Sequence, residues 1–152
     1  MIKIKKIEFA QIKPIWERQL WPSRQSLIRG MSSMKYLGGI DMEIYEKYKP
    51  TFFCTILNNA HIVGVNSGHR TDEALYRSRG VWVDPDYRRE GVAQMLFQAV
   101  EDQAIKEKCT AIWSLPRESA LSAYERYGFS KQGNFFDEGV EYGPNCYVIK
   151  TL

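Results

Sequence analysis

The segment that most limits how this chain can fold is a β-rich run, Leu75 to Val83, followed after a short basic turn by an apolar stripe at helical spacing. Val92, Met95, Leu96, Ala99 and Val100 occupy positions i, i+3, i+4, i+7 and i+8, so one face of a helix from about Gly91 to Lys106 belongs in a core. Pro85 cannot donate to a sheet ladder, so the strand ends at Asp84-Pro85 and the turn is confined to residues 84–91.

The remaining pattern alternates in the same way. Ile2 and Ile4 alternate with Lys3 and Lys5, the period of a half-buried strand, and Ile12, Ile15, Trp16 and Leu20 then follow helical spacing. From Trp21 to Pro50 the pattern is irregular, broken by Pro22, Gly30, Gly38 and Gly39, with a second helix around Asp41 to Tyr48. Thr51 to Leu57 and His61 to His69 read as a hairpin, because Asn58-Asn59 tolerates the positive φ of a tight turn. Thr110 to Leu115 reads as a buried strand, Glu118 to Tyr127 as a short helix closed by Gly128, and Phe129 to Phe136 and Asn145 to Thr151 as final strands. No repeat or linker interrupts this order, and 152 residues that are 44% hydrophobic can bury a core without staples, so one domain over 1–152 is expected.

Composition excludes several classes. The apolar runs fall short of the roughly 18 to 20 residues that cross a bilayer, and the Ile/Lys alternation at the N-terminus is unlike a signal peptide, so no membrane partner is expected. Cys54, Cys109 and Cys146 are widely spaced in apolar contexts, as buried thiols of a reducing, cytoplasmic compartment would be. A net charge of +3, evenly mixed, gives no footprint for nucleic acid. Phosphate-loop, serine-elbow and metal-ligand spacings are absent from the string, so no metal is expected.

The turn itself carries chemistry. Val81-Trp82-Val83-Asp84-Pro85-Asp86-Tyr87-Arg88-Arg89-Glu90-Gly91-Val92-Ala93 ends a strand and starts a helix, whose unpaired N–H groups and positive dipole end suit a diphosphate. Gly91 lets an anion approach the backbone, small Ala93 leaves room, and Arg88 and Arg89 add charge. A solvated helix start would carry the same residues.

Arg88-x-x-Gly91-x-Ala93, with Val81 to Pro85 leading into it, resembles the acetyl-CoA signature of the GNAT N-acetyltransferase superfamily. Ala120-Leu121-Ser122-Ala123-Tyr124-Glu125-Arg126-Tyr127-Gly128-Phe129 is similar to that family's second motif, and the resemblance spans roughly residues 51–152. It implies an α+β fold in which helices flank a mostly antiparallel sheet of six to seven strands. It also implies a bulged strand, Leu75 to Val83, that splays from a parallel Thr110 to Leu115 and opens a slot for the cofactor, acetyl-CoA. Val81, Trp82, Val83, Arg88, Arg89, Glu90, Gly91, Val92 and Ala93 would bind it, with main-chain N–H groups near Trp82 and Val83 polarising the thioester. Tyr124 would protonate the departing thiolate; read from spacing alone, it completes an apolar helix face with Leu121 and Tyr127.

The family often places a glutamate on the strand before the turn, but Tyr76-Arg77-Ser78-Arg79-Gly80 holds no carboxylate. Glu73, His69, an ordered water or an amine that arrives neutral remain as alternatives, with His61 read as exposed beside its turn. The acceptor implied is an amine of a small molecule or peptide. The loop with Phe136, Asp137, Glu138, Glu141 and Tyr142 would favour a cation, whereas Arg24, Arg29 and Lys35 would oppose one. Acetylation of a protein N-terminus or lysine, a non-catalytic acyl-CoA sensor, and a nucleic-acid-binding module using Arg77, Arg79, Arg88 and Arg89 are the competing readings, and a homodimer fits the resemblance.

Overall fold

In the computed structural model, which describes residues 1–152, β1 (Ile2–Ile7), β2 (Thr51–Leu57), β3 (His61–Arg70), β4 (Leu75–Val83), β5 (Ala111–Ser114), β6 (Ser130–Phe136) and β7 (Asn145–Thr151) form one sheet in the order β1-β2-β3-β4-β5-β7-β6. Every neighbouring pair is antiparallel except β4–β5, which is parallel. The β2–β3 hairpin closes at Asn58 (φ 52) and Asn59 (φ 59), the left-handed conformation expected of them. Beyond a register shift between Thr55 and Ile56, Cys54 stands opposite Val65, both fully buried.

Helix α3 (Val92–Lys106) lies on one face, with Val92, Leu96, Phe97 and Val100 buried among Val63, Tyr76 and Ile112. Each such side chain contributes about 1.5–3 kcal/mol on leaving water. The helix stops at Lys108 (φ 66), where the N–H groups of Lys108 and Cys109 turn back to the carbonyls of Ile105 and Ala104. Helix α4 (Leu121–Tyr127) follows a single helical turn at Glu118–Ala120 and ends at Gly128 (φ 116), which brings Tyr124 and Phe129 onto Phe97.

The opposite face is covered by α1 (Phe9–Ile15) and a wide π-helical turn, Trp16–Leu20. The sequence suggested one continuous helix here. Pro14 withholds the N–H that would bond Ala10, and the chain then widens until Trp21 donates to Trp16. Ile12, Trp16, Phe52 and Val65 form the core on this side. The expected helix at 41–48 is the short α2 (Ile44–Lys47). β1 is an edge strand whose Ile4 is 37% exposed, so only its ends, Ile2 and Ile7, meet the core. All three cysteines are buried free thiols, and no helix is long and apolar enough to cross a membrane.

Candidate active site

Two irregularities in β4 create the site. Val65 pairs with Trp82 but Ser67 pairs with Arg79, so Asn66 alone faces two residues, Gly80 and Val81, and β4 bulges. Gly80 takes φ 83, and its carbonyl accepts a 2.9 Å hydrogen bond from the Trp16 indole N–H. A Cβ there would lie 2.5 Å from that ring, so only glycine fits both the φ and the packing.

The parallel partnership is the second. β4 and β5 pair only at Leu75↔Ala111, Tyr76↔Ile112 and Arg77↔Trp113; β4 then runs on to Val83 while β5 ends at Ser114. A V-shaped gap follows Arg77. At its point the Ser114 hydroxyl donates to the Ser78 carbonyl at 2.6 Å and lies 3.4 Å from the Tyr124 hydroxyl. Tyr124 is 4% exposed, and burial raises its pKa, with Ser114 and the charges of Arg77 and Arg117 opposing the shift. The phenol is therefore protonated at neutral pH.

Along the rim, Asp84 N–H bonds Val63 across β3, so strand alternation turns the N–H and C=O of Val83 toward the gap and those of Trp82 toward Val65. The Val83 carbonyl accordingly accepts from Arg88 Nε at 3.2 Å. The rim continues from extended Arg88 (φ −72) into Arg89 (φ 65) and Gly91 (φ 80), two left-handed residues that bend the chain tightly into the start of α3. Met95 is the first residue of α3 to close a helical bond, onto Gly91, which leaves the N–H groups before it facing outward. No atom lies within 4 Å of where a Gly91 Cβ would stand, so the cradle is open. Arg88, Arg89 and Glu90 are exposed, Val92 is buried and Ala93 half-buried beneath the turn.

On the other face, Arg77 and Arg79 point away from α3 and are buried against aromatic rings: Arg77 over Trp113 at 4.8 Å, Arg79 against the adjoining rings of Trp16 and Trp21 at 5.2 and 5.1 Å. The irregular segment from Trp21 closes over them. Tyr36 packs on Trp113 and Tyr147, while Gln25 N–H and the Ser26 hydroxyl donate to Glu141 in the β6–β7 loop. Tyr142 reaches the Pro22 carbonyl and Arg117 the Leu20 carbonyl. Two surface depressions of about 330 and 360 Å³, beside Arg70–Glu107 and Lys13–Arg24, adjoin neither Gly91 nor Tyr124.

A sequence model described as the Acetyltransferase (GNAT) family matches residues 13–129. The chain belongs to that family. Similar solved structures include a GNAT-family acetyltransferase from Staphylococcus aureus Mu50 (17% identity, 99% of each chain, TM-score 0.69). Others are an acetyltransferase from Streptococcus agalactiae 2603 (20% identity, 99% of this chain and 98% of that one, TM-score 0.66) and the ribosomal-protein-S18-alanine N-acetyltransferase from Escherichia coli (17% identity, 100% and 93%, TM-score 0.66). At these identities the likeness concerns the GNAT fold. No curated protein matches in sequence.

The GNAT fold brings together Val81, Trp82 and Val83 at the bulge, the 88–93 turn beyond it, and Tyr124 at the point of the gap. It separates the residues suggested as a base. Glu73 is exposed in the bend before β4, beyond Leu75, which itself stands about 10 Å from Ser78 at the strand rise. His69 is fully buried, with Nδ1 against the Arg70 carbonyl and Nε2 accepting from Ser32 N–H, and burial lowers its pKa to about 3. A ring so weakly basic, with its lone pair engaged, is a poor proton acceptor. The acetyl-CoA reading of the sequence gave no role to Arg77 and Arg79, which entered only through the nucleic-acid alternative. Their i, i+2 spacing within a β-rich run was the available signal, since it puts both on one side of the strand, where residues 76–79 are buried on both faces.

Proposed function

We propose that this GNAT protein moves an acetyl group from acetyl-CoA to the primary amine of a small molecule, by direct attack within a ternary complex. The observation that carries the reading is the Tyr124 hydroxyl, 3.4 Å from the Ser114 hydroxyl where β4 and β5 part, with the open turn at Arg88–Gly91 following the end of the same β4. These residues fit the cofactor: the outward-facing N–H groups and two arginines suit a diphosphate, and the parted strands leave main-chain groups for an extended arm. Bound there, acetyl-CoA would supply an activated thioester whose carbon gains a C–N bond to the amine and loses its C–S bond to the thiol.

Val83 N–H, turned into the gap, is the donor for the carbonyl oxygen as negative charge grows on it. Tyr124 gives its proton to the departing sulfur and takes back the proton that the amine sheds, so the protein is unchanged. Orientation supplies most of the rate, and no acyl-enzyme is needed. The latched loops at Gln25–Glu141 and Tyr142–Pro22 narrow the acceptor side, which favours a compact amine over a protein surface.

A thiol-release assay over polyamines, amino acids, aminoglycosides and peptides, run beside calorimetry with CoA and acetyl-CoA, tests this reading. CoA binding with amine-dependent thiol release is expected. Absence of any cofactor binding overturns it, and binding without release from any amine assigns the chain to the non-catalytic sensors.

A further inference from the structure

Arg77 and Arg79 are 8% and 5% exposed, yet neither forms an ion pair with a carboxylate. Burying a cation without a counter-ion is strongly unfavourable, and proteins pair such groups or bring them an anion. Arg79 is partly satisfied: its Nη1 donates to the Arg29 carbonyl at 2.8 Å, and its guanidinium packs against two adjoining indoles. Arg77 is not. It has only the Trp113 face, and its Nε and Nη1 are closed to solvent with no acceptor. Arg24, stacked on Trp21, adds a third positive charge felt at both. Arg77 is also the last β4 residue paired with β5, so this unsatisfied fork sits at the point of the gap, near enough for Tyr124 to feel its charge.

We propose that Arg77 is the seat of a carboxylate carried by the acceptor, so that the substrate is an amine bearing an acid group, of the amino-acid or short peptide-acid class. The inference rests on the acetyl-transfer reading and specifies its substrate. A guanidinium fork matches a carboxylate with two parallel hydrogen bonds, and the bound carboxylate removes the energetic objection to the buried charge. With Arg77 paired to that carboxylate, Arg79 and Arg24 still carry positive charge on this side of the sheet. Positive charge beside the incoming ammonium disfavours its protonated form, which favours a neutral, nucleophilic amine at a site without a glutamate. An acid at the end of the acyl chain would offer the same chemistry to Arg77, and the test separates the two sources.

Protein saturated with CoA is titrated with amino acids and short peptides and with their C-terminal amides, by calorimetry and thermal shift. Acids should bind on the order of tenfold tighter than the matching amides, and Arg77→Gln should abolish that preference while CoA affinity holds. Because the acid-to-amide comparison is made on the unaltered protein, it stands even if the variant folds poorly. Equal binding of acids and amides, or an acid preference that survives in well-folded Arg77→Gln, overturns the proposal while leaving acetyl transfer intact. Preference for succinyl-CoA over acetyl-CoA without acid-to-amide discrimination places the carboxylate on the donor and also overturns it. If CoA itself does not bind, the acetyl-transfer reading fails and this inference with it.

Discussion

Trp16 holds the bulge of β4 by donating its indole N–H to the Gly80 carbonyl at 2.9 Å while its ring fills the space a Gly80 side chain would need. A residue from the π-helical turn thus fixes the bend that parts two strands on the far side of the sheet. Trp16→Phe keeps most of the apolar burial but orphans that carbonyl, at a cost of about 1–3 kcal/mol. Gly80→Ala adds a left-handed strain of about 1–3 kcal/mol to an overlap with the indole. Urea unfolding should therefore rank both below the parent, with Gly80→Ala the lower, and both should weaken CoA binding.

Tyr124→Phe removes the phenolic proton and leaves the packing on Phe97 and Phe129 intact. Turnover should fall about a hundredfold or more while the CoA dissociation constant stays nearly the same. Burial holds the Tyr124 pKa above the usual phenol value, so the parent enzyme should keep its acid form on the alkaline side until beyond about pH 10. Steady-state kinetics and calorimetry on the pair decide this. An unchanged turnover removes Tyr124 from catalysis.

These two residues show unequal legibility. Tyr124 was singled out only by the likeness of its helix and Gly128-Phe129 to a family motif, since its spacing alone fits an apolar helix face, whereas β2, β4 and β7 were read with their observed bounds because each is an apolar run cut off by turn residues. The bulge was reached only through the family resemblance, since the glycine at 80 does not say that an indole from residue 16 will meet it. The pairing of Arg77 and Arg79 with aromatic faces was hidden for a similar reason. Arginines usually reach solvent, and their burial depends on the irregular 21–43 segment, whose path follows from contacts with β5, β7 and the β6–β7 loop more than from any period of its own.

Gly91 should separate backbone from charge. Its φ of 80 strains any side chain, but nothing lies near the added Cβ, so Gly91→Ala should lose only about 1 kcal/mol of stability. Gly91→Glu places a carboxylate among the outward-facing N–H groups, where it competes with and repels a diphosphate. CoA affinity should fall about tenfold or more beyond the alanine variant. Equal affinities in the two would remove the turn from the cofactor site.

His69 gives an acid-side signature. Its folded pKa, about 3, lies below the 6.5 of the free side chain, so the unfolded chain takes up a proton that the folded chain refuses. The stability this neutral ring contributes is complete above pH 6.5 and is lost as pH falls from there toward 3. At about pH 4.5 the deficit is about 3 kcal/mol. Denaturant unfolding at pH 7 and about pH 4.5 should show this extra loss in the parent and a shallower one in His69→Gln. Matching slopes would mean that His69 accepts protons while folded.

The contact between Glu141 and the Gln25–Ser26 segment joins the two loops that the proposed reaction assigns to the acceptor side. These hydrogen bonds hold the Glu141 carboxyl below its usual pKa, the Gln25 N–H contributing most, so the latch is present at neutral pH and should loosen only in acid. Glu141 is solvent-exposed and remote from the sheet interior, so Glu141→Ala should leave the fold and the cofactor cradle alone. What it releases is the position of the segment that carries Arg24, and with it one wall of the acceptor side. The acceptor KM should then rise severalfold with turnover and acetyl-CoA KM little changed, because the loops order the acceptor and not the reacting thioester. Kinetics with whichever amine the thiol-release panel identifies would show this split; a fall in turnover at constant acceptor KM would instead tie the latch to the chemistry around Tyr124.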